Sequence, residues 1–300
     1  MTTSPEPGRT AEEFESLRPR MFGLAYRMLG SAEEAQDTVQ DAYLRLSATE
    51  PGAVGHLGGW LAKVVTNLCL NRLTSARVRR EQYAGPWLPE PVLTSDGTLG
   101  PMESAERRDS VSYALLLLLE KLTPTERAVY VLREAFAYDY REIAGVLGLG
   151  EANCRQLYRR AAARVTTPDA RFEPSERVHR ELVEAFVGAA RAGDLTALEK
   201  TLAADVSWWG DGGGKVSAAR RPVEGREKVL RFLLGTRERF PADLEVTVAE
   251  VNGDAAVVAT TGDAVFAVVT FDVREGAIVT ARAVMNPDKL GFVTRQLAAS

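Results

Sequence analysis

Residues 138–165 read YDYREIAGVLGLGEANCRQLYRRAAARV, and this stretch has the form of two helices joined by a tight turn. Ile143, Val146 and Leu147 recur on one face at helical spacing, and Gly148-Leu149-Gly150 then supply two residues that tolerate positive φ. A second helix is predicted from Glu151. Its Cys154, Leu157, Tyr158, Ala161 and Val165 recur at intervals of three and four, so they can pack back on the first helix. Asn153, Gln156, Arg160 and Arg164 then face outward, flanked by Arg155 and Arg159. The same pattern fits an ordinary αα-hairpin with a solvated basic face. A helix with four arginines, two amides and no lysine behind a short glycine-containing turn favours a helix-turn-helix on DNA, because arginine forks and amides read base edges bidentately.

The residues before it extend this unit. In LTPTERAVYVLREAF, Thr123 is placed to cap a helix that starts at Pro124 and carries Glu126 at its third position, the capping-box arrangement. ERRDSVSYALLLLLEKL, residues 106–122, reads as a further helix. Its Leu115 to Leu119 run is too short to span a bilayer and suits a core.

The whole chain has 300 residues, 45% of them hydrophobic and 26% charged, values of a globular protein with two or three domains. Net charge is −4, and neither residues 1–171 (21 basic, 22 acidic) nor the remainder (16 basic, 19 acidic) is basic. Contact with nucleic acid must therefore come from local patches. Cys69 and Cys154 are too few and too far apart for a metal motif or a disulfide framework and read as buried thiols. No metal or other cofactor is expected. With no signal peptide or membrane span in the sequence, the expected location is the cytoplasm.

Residues 11–46 carry two helical patterns, FESLRPRMFGLAYRMLG and AEEAQDTVQDAYLRL, with Gly30-Ser31 as break and cap. The second has Ala35, Val39, Ala42 and Leu46 on one side and Glu34, Asp37 and Asp41 on another. After the loop SATEPGAVGHLGG comes GGWLAKVVTNLCLNRLTSARVRRE, with Trp60, Val64, Leu68 and Leu73 as its apolar stripe and Arg72, Arg77, Arg79 and Arg80 gathered at the end. Such a cluster suits a nucleic-acid backbone, although a helix C-terminus attracts cations for dipole reasons alone.

In this order the segments resemble the extracytoplasmic-function sigma factors of bacterial RNA polymerase, over about residues 11–165: the acidic helix, loop and GGWLAKVVTNLCLNRL as region 2, LTPTERAVYVLREAF with YDYREIAGVLGLGEANCRQLYRRA as region 4. The resemblance implies RNA polymerase core and promoter DNA as partners, with no membrane. It assigns Glu34, Asp37, Gln40 and Asp41 to the polymerase. His56, Lys63, Asn67, Asn71, Arg72 and Arg77 fall to the −10 element, and Asn153, Arg155, Gln156, Arg159 and Arg160 to the −35 element. Cys154 stands where such helices often have valine, keeping a small buried group. Few aromatics lie along the melting helix, and Trp60 is read as a core residue before a base-stacking one.

The stretch between the two regions, QYAGPWLPEPVLTSDGTLGPME, is rich in Pro and Gly, with no regular structure expected. From Pro174 a separate unit follows, helices first and then the extended runs DLEVTVAEVNG, DAAVVATTGDAVFAVVTFDVREG and AIVTARAVMNP, the second with a hairpin at Thr261-Gly262-Asp263. This predicts an α+β fold, a curved antiparallel sheet on helices, and it resembles the SnoaL-like members of the NTF2-like superfamily. Sigma factors with such a domain form a SigJ-like group marked by WLPEP, DGGGK and NPDKL. Here these are residues 87–91, 211–215 and 286–290, all intact. The expected fold is thus multidomain, two all-α sigma domains (11–83 and 103–168, the second with the helix-turn-helix) joined by a linker (84–102) and followed by an α+β cone (174–292).

The three motifs nominate Trp87, Leu88, Pro89, Asp211, Gly213, Lys215, Asn286, Pro287 and Asp288 for interdomain regulation, with Trp87 expected to be largely buried. Asp205, Asp211, Trp208, Trp209 and Lys215 can also be read as a catalytic set, and His179 is the third domain's only histidine. The glycines of DGGGK lack phosphate-loop spacing and suit a tight turn. The resemblance implies a regulatory domain and no catalysis; a cone that binds or converts a small metabolite, and a repressor acting without polymerase, are the rival readings.

Overall fold

The computed structural model describes residues 7–50, 53–95, 97, 99, 111–165, 175–237 and 239–299. They fall into two compact units, one of residues 1–79, 97–111 and 115–166, the other of residues 80–96, 112–114 and 167–300.

The first unit is helical. α1 (Pro7–Leu29) ends at Gly30, whose φ of 67° lets the chain turn, and Ser31 starts α2 (Ala32–Ser47) by accepting the Glu34 amide on its hydroxyl. α3 (Leu57–Glu81) buries Leu61, Val65, Leu68 and Cys69. The stripe read from sequence is therefore rotated: Trp60 and Val64 lie half-buried at its edge.

The helix expected over 106–122 is shorter where it is described, α4 (Tyr113–Leu119). Thr123 explains why the chain leaves it. To accept the Glu126 amide, Thr123 must be extended (φ −67°, ψ 155°), while Glu126 returns a bond to the Thr123 amide, so α5 (Pro124–Glu134) needs a break before it.

A second capping box, Asp139 with Glu142, starts α6 (Tyr140–Leu147), and Gly148 closes it in the left-handed conformation. α7 (Glu151–Val165) packs back through Cys154, Leu157, Ala161 and Val165. Both cysteines are buried free thiols, their pKa values raised by burial.

Within this unit α1 lies against α5. Arg127, 2% exposed, donates through Nε to the Arg27 carbonyl at 3.0 Å and pairs through Nη1 with Glu120. Burial lowers its pKa to about 9.

In the second unit α8 (Glu176–Ala192) and α9 (Leu195–Thr201) precede β1 (Leu202–Asp211), β2 (Val223–Glu224) and α10 (Arg226–Arg237). Then come β3 (Glu245–Val251), β4 (Asp254–Thr261), β5 (Ala264–Arg274) and β6 (Ala277–Val284), a 3-10 turn at Pro287–Lys289, and α11 (Gly291–Ala299). One six-stranded sheet has the order β2-β1-β6-β5-β4-β3. The hairpin between β4 and β5 lies at the expected glycine, φ 52°.

The sheet is mixed, where an antiparallel one was expected: β1 runs parallel to β6. β1 was missed because it follows α9 without a turn signal, and its inward alternation, Val206, Trp208, Gly210, is brief. Its core joins Val183, Phe186 and Val187 of α8 to Phe271, Val273 and Ile278 of the sheet. His179 belongs to this packing. It is 6% exposed and donates from Nε2 to the Phe271 carbonyl at 3.1 Å, and it does not line the cavity of this domain.

Candidate nucleic-acid interface and linker site

On α7 the backward packing of Cys154, Leu157 and Ala161 turns Asn153, Gln156 and Arg159 outward, all exposed. Arg155, exposed as well, lies 3.5 Å from Glu151 and 5.6 Å over the Tyr140 ring. Arg160 departs from the expected reading face. Together with Arg164 it turns to Glu126, at 3.3 and 2.7 Å. Although burial works to raise the Glu126 pKa, the Thr123 amide and hydroxyl and these two guanidinium groups hold it below its usual value.

On α3 the side chains of Lys63, Asn67 and Asn71 stand four residues apart and exposed, one continuous polar stripe. His56 is exposed too, but its Nδ1 accepts the Gly59 amide at 2.9 Å, so it also caps α3. His56 and Lys63 line a cleft of about 410 Å³ with Arg20 of α1 and with Tyr138, Glu142 and Val146 of the helix-turn-helix. Arg72 leaves the stripe, bonding Asp41 at 2.7 Å and approaching Asp37 at 4.0 Å. The side chain of Arg77 lies outside the described residues.

Arg72 thus links α3 to the acidic face of α2. There Asp37 and Gln40 are exposed and Glu34 and Asp41 half-buried. Sequence reading missed Leu44, which is 58% exposed and three, four and seven residues on from Asp41, Gln40 and Asp37. It therefore shares their face of α2, and its spacing from the acids was the signal.

The linker motif is built into the second unit. Asp211, at the end of β1, is 0% exposed. Its carboxylate accepts four bonds, from the Tyr83 hydroxyl (2.6 Å), the Leu88 amide (2.9 Å), the Gly213 amide (3.1 Å) and Lys289 Nζ (2.7 Å). Lys289 also donates to the Leu88 carbonyl at 2.6 Å, with its ammonium 4.3 Å from the Trp87 ring centre and 4.6 Å from that of Tyr83. Asn286 Nδ2 donates to the Tyr83 hydroxyl at 2.8 Å. Burial, and after it the Asp211 carboxylate, raise the Tyr83 pKa, so the phenol stays protonated as a donor.

Beyond Leu88 the linker lies along the sheet. Val92 exchanges bonds with Asn252, Thr94 bonds the Glu250 carbonyl and carboxylate, and Leu93 bridges to Val251. Gln296 of α11 receives the Leu93 amide and donates to its carbonyl, as a neighbouring strand would. Tyr113 donates to the Pro89 carbonyl.

Leu88 and not Trp87 goes deepest: it is 2% exposed, while Trp87 is half-buried and covers Lys289. Pro287 and Asp288 are exposed, and the Asp288 pair with Lys215 at 2.6 Å is a solvated contact of small energy. Tyr83, Asn252 and Gln296 escaped sequence reading, and Lys289 was noted only as part of NPDKL.

Gly213 (φ 59°) carries a sharper requirement, because a Cβ there would lie 2.3 Å from the Asn286 amide nitrogen. Gly213→Ala is expected to cost about 1–3 kcal/mol of second-unit stability through the clash and the backbone strain, read by chemical denaturation. Gly214→Ala, which meets the Ala84 Cβ at 3.1 Å, should cost less.

Of the catalytic set suggested by the sequence, only Trp208 lines the cone's cavity. Asp211 is committed to the linker, Trp209 donates to Ser207, and Asp205 faces Arg274 at 3.5 Å. Among the described residues no group of three His, Cys, Asp or Glu is placed to hold a metal ion, and no helix is long and apolar enough to cross a membrane.

Two helical domains, the second with a basic helix-turn-helix, and an α+β domain that grips the connection between them define a sigma factor with an accessory domain. The family descriptions agree: Sigma-70 region 2 matches residues 14–79, Sigma-70 region 4 matches 112–165, and the SnoaL-like domain matches 183–286. The chain is 36% identical over 287 residues to the ECF RNA polymerase sigma factor SigJ of Mycobacterium tuberculosis, covering 92% of both chains. It is 32% identical over 290 residues to the "Probable ECF RNA polymerase sigma factor SigI" of the same species, covering 93% of this chain and 94% of that one. The crystal structure of the M. tuberculosis SigJ superposes with a TM-score of 0.73 at 34% identity, over 95% of this chain and 98% of that one. The chain belongs to the extracytoplasmic-function (ECF) RNA polymerase sigma factors, the subunits that direct promoter-specific transcription initiation.

Proposed function

We propose that this sigma factor docks on RNA polymerase core through α2, reads the −10 element with α3 and the −35 element with α7, and is regulated, in the cytoplasm, by its third domain through the linker. The single observation that carries the regulatory part is the Asp211 site. A connection that were only a tether would have no use for a buried ion pair and a row of backbone bonds to a neighbouring domain.

Regulation is favoured over catalysis by the cavity's lining. Among the described residues its ionisable lining is Arg191, Arg239 and Glu245, with no histidine and no second carboxylate to serve as an acid-base pair.

Run-off transcription with purified core polymerase tests this reading. The full chain is expected to support initiation from its own promoters, and a chain ending at residue 171 to initiate at an altered rate. Absence of promoter-specific transcripts from both would overturn it. Reversing Asp37 and Asp41 to lysine, or replacing Leu44 by alanine, should weaken co-purification with core by about tenfold while the fold persists, since charge and apolar contact are lost from one face. Undiminished co-purification would remove α2 from the docking surface.

A further inference from the structure

Inside the cone, between the sheet and helices α8 and α10, lies a cavity of about 970 Å³, at the upper end of the range that small-molecule sites occupy. Its walls are Trp208, Phe232, Leu233, Val257, Phe266 and Met285; Trp208 and Val257 are buried residues of the domain core, and Phe232, Leu233 and Met285 are partly buried against it. Ser217, Arg239 and Glu245 are among the polar side chains of the lining, and three others are spent on backbone carbonyls. Thr236 donates to the Phe232 and Leu233 carbonyls, Thr247 to that of Val258, and Arg191 to that of Val246.

The mouth carries large apolar side chains beside the exposed Arg239 and Glu245. Of the five large hydrophobic side chains exposed among the described residues, Leu195, Val216, Leu234 and Phe240 all border this cavity, each 36–43% exposed. Single exposed hydrophobics are ordinary; four gathered on the rim of one cavity are not. A flat protein partner would not fill space that reaches buried residues such as Trp208 and Val257, so the matching occupant is a small molecule.

The cavity wall and the linker site share backbone. Gly210 and Met285 line the cavity, and the next residue along the chain from each, Asp211 and Asn286, holds the linker. The Asp211 carbonyl accepts the amides of both Met285 (2.8 Å) and Asn286 (2.9 Å). The chain leaving DGGGK returns as Val216–Ala219 to form part of the wall, tied at its root by the Lys215 and Val216 amides on the Gly212 carbonyl.

We infer that the cone takes a neutral, predominantly apolar small molecule with one or two polar groups, and that its occupancy is felt at the Asp211 site and so at the linker. A ligand can shift the linker only by binding its held and released arrangements unequally, and the shared strand ends supply that difference. The coupling to regulation rests on the proposed function; the binding does not.

The test uses the full-length chain and the neutral fluorophore N-phenyl-1-naphthylamine, without polymerase or DNA. Saturable binding at one site is expected. It should weaken by about tenfold or more in Leu234→Glu, at the exposed rim, and in Ala259→Trp, which fills the interior, both checked for native circular dichroism. At saturation, hydrogen exchange of the Leu88 amide should change several-fold. No saturable binding, equal binding by both variants, or unchanged Leu88 exchange at saturation overturns the inference. None of these outcomes bears on run-off transcription, so a failure here is distinct from a failure of the sigma-factor reading.

Discussion

Replacing Lys289 by methionine destabilises the second unit by about 3–5 kcal/mol and frees the linker, because removing one partner of a buried pair leaves the other charge without compensation. Asp211 is the stranded charge: it is 0% exposed and keeps only neutral donors, Tyr83, Leu88 and Gly213. The Leu88 carbonyl also loses the Lys289 donor. Urea denaturation followed by circular dichroism gives the loss in stability, and limited proteolysis around residues 83–94 gives the release of the linker. The double variant Asp211→Asn/Lys289→Met should lose less than the sum of the two single changes, the sign of direct coupling. Additive losses would mean that the two side chains act separately, and a wild-type midpoint for Lys289→Met would remove the pair from the account of linker holding.

The second large effect is at the promoter. Replacement of Gln156 or Arg159 by alanine should cost about 1–3 kcal/mol of binding to promoter DNA, with unchanged affinity for core polymerase, as expected for side chains on base edges. Both stand on the exposed face of α7. Arg160→Ala should behave differently. Its guanidinium lies against Glu126, so its removal should act on region 4 stability more than on sequence preference. A gel-shift series over single-base promoter variants distinguishes the two: base-reading residues lose discrimination at one position, and a structural residue weakens all sequences alike. Equal behaviour of all three substitutions would dissolve the distinction.

How much of this was legible in the sequence depended on separation along the chain. The helix-turn-helix, both helix starts at Ser31 and Thr123, and the β4-β5 hairpin follow from local spacing and glycine chemistry, and the structure has them where expected. The rotation of the α3 stripe was harder to see, because Trp60 and Val64 differ from the buried Leu61 and Val65 by one position, a difference decided by what packs against the helix. Asp211 and Lys289 are 78 residues apart, and no local pattern marks them as a pair. The three linker motifs were readable only as a resemblance. That Leu88 would be the buried anchor, with Trp87 as its cover, depends on a backbone bond from Leu88 to a carboxylate 123 residues away. Arg72 and Arg160 show the complementary limit: an exposed arginine in sequence becomes half of an ion pair once a carboxylate from another helix is brought beside it.

The pinned stretch from Tyr83 to Thr94 also sets a length. Elements at −10 and −35 are by their names about 25 base pairs apart, which at 3.4 Å per pair is roughly 85 Å. Between α3, ending at Glu81, and α4, starting at Tyr113, the chain can extend to about 100 Å at 3.3 Å per residue. With Tyr83 to Thr94 held on the sheet, residues 95–112 alone reach at most roughly 60 Å. A free connection is therefore long enough to cover that distance unaided, whereas the part left free by the held linker is not. Promoters with different spacing between their two elements should then respond unequally when Lys289 is lost.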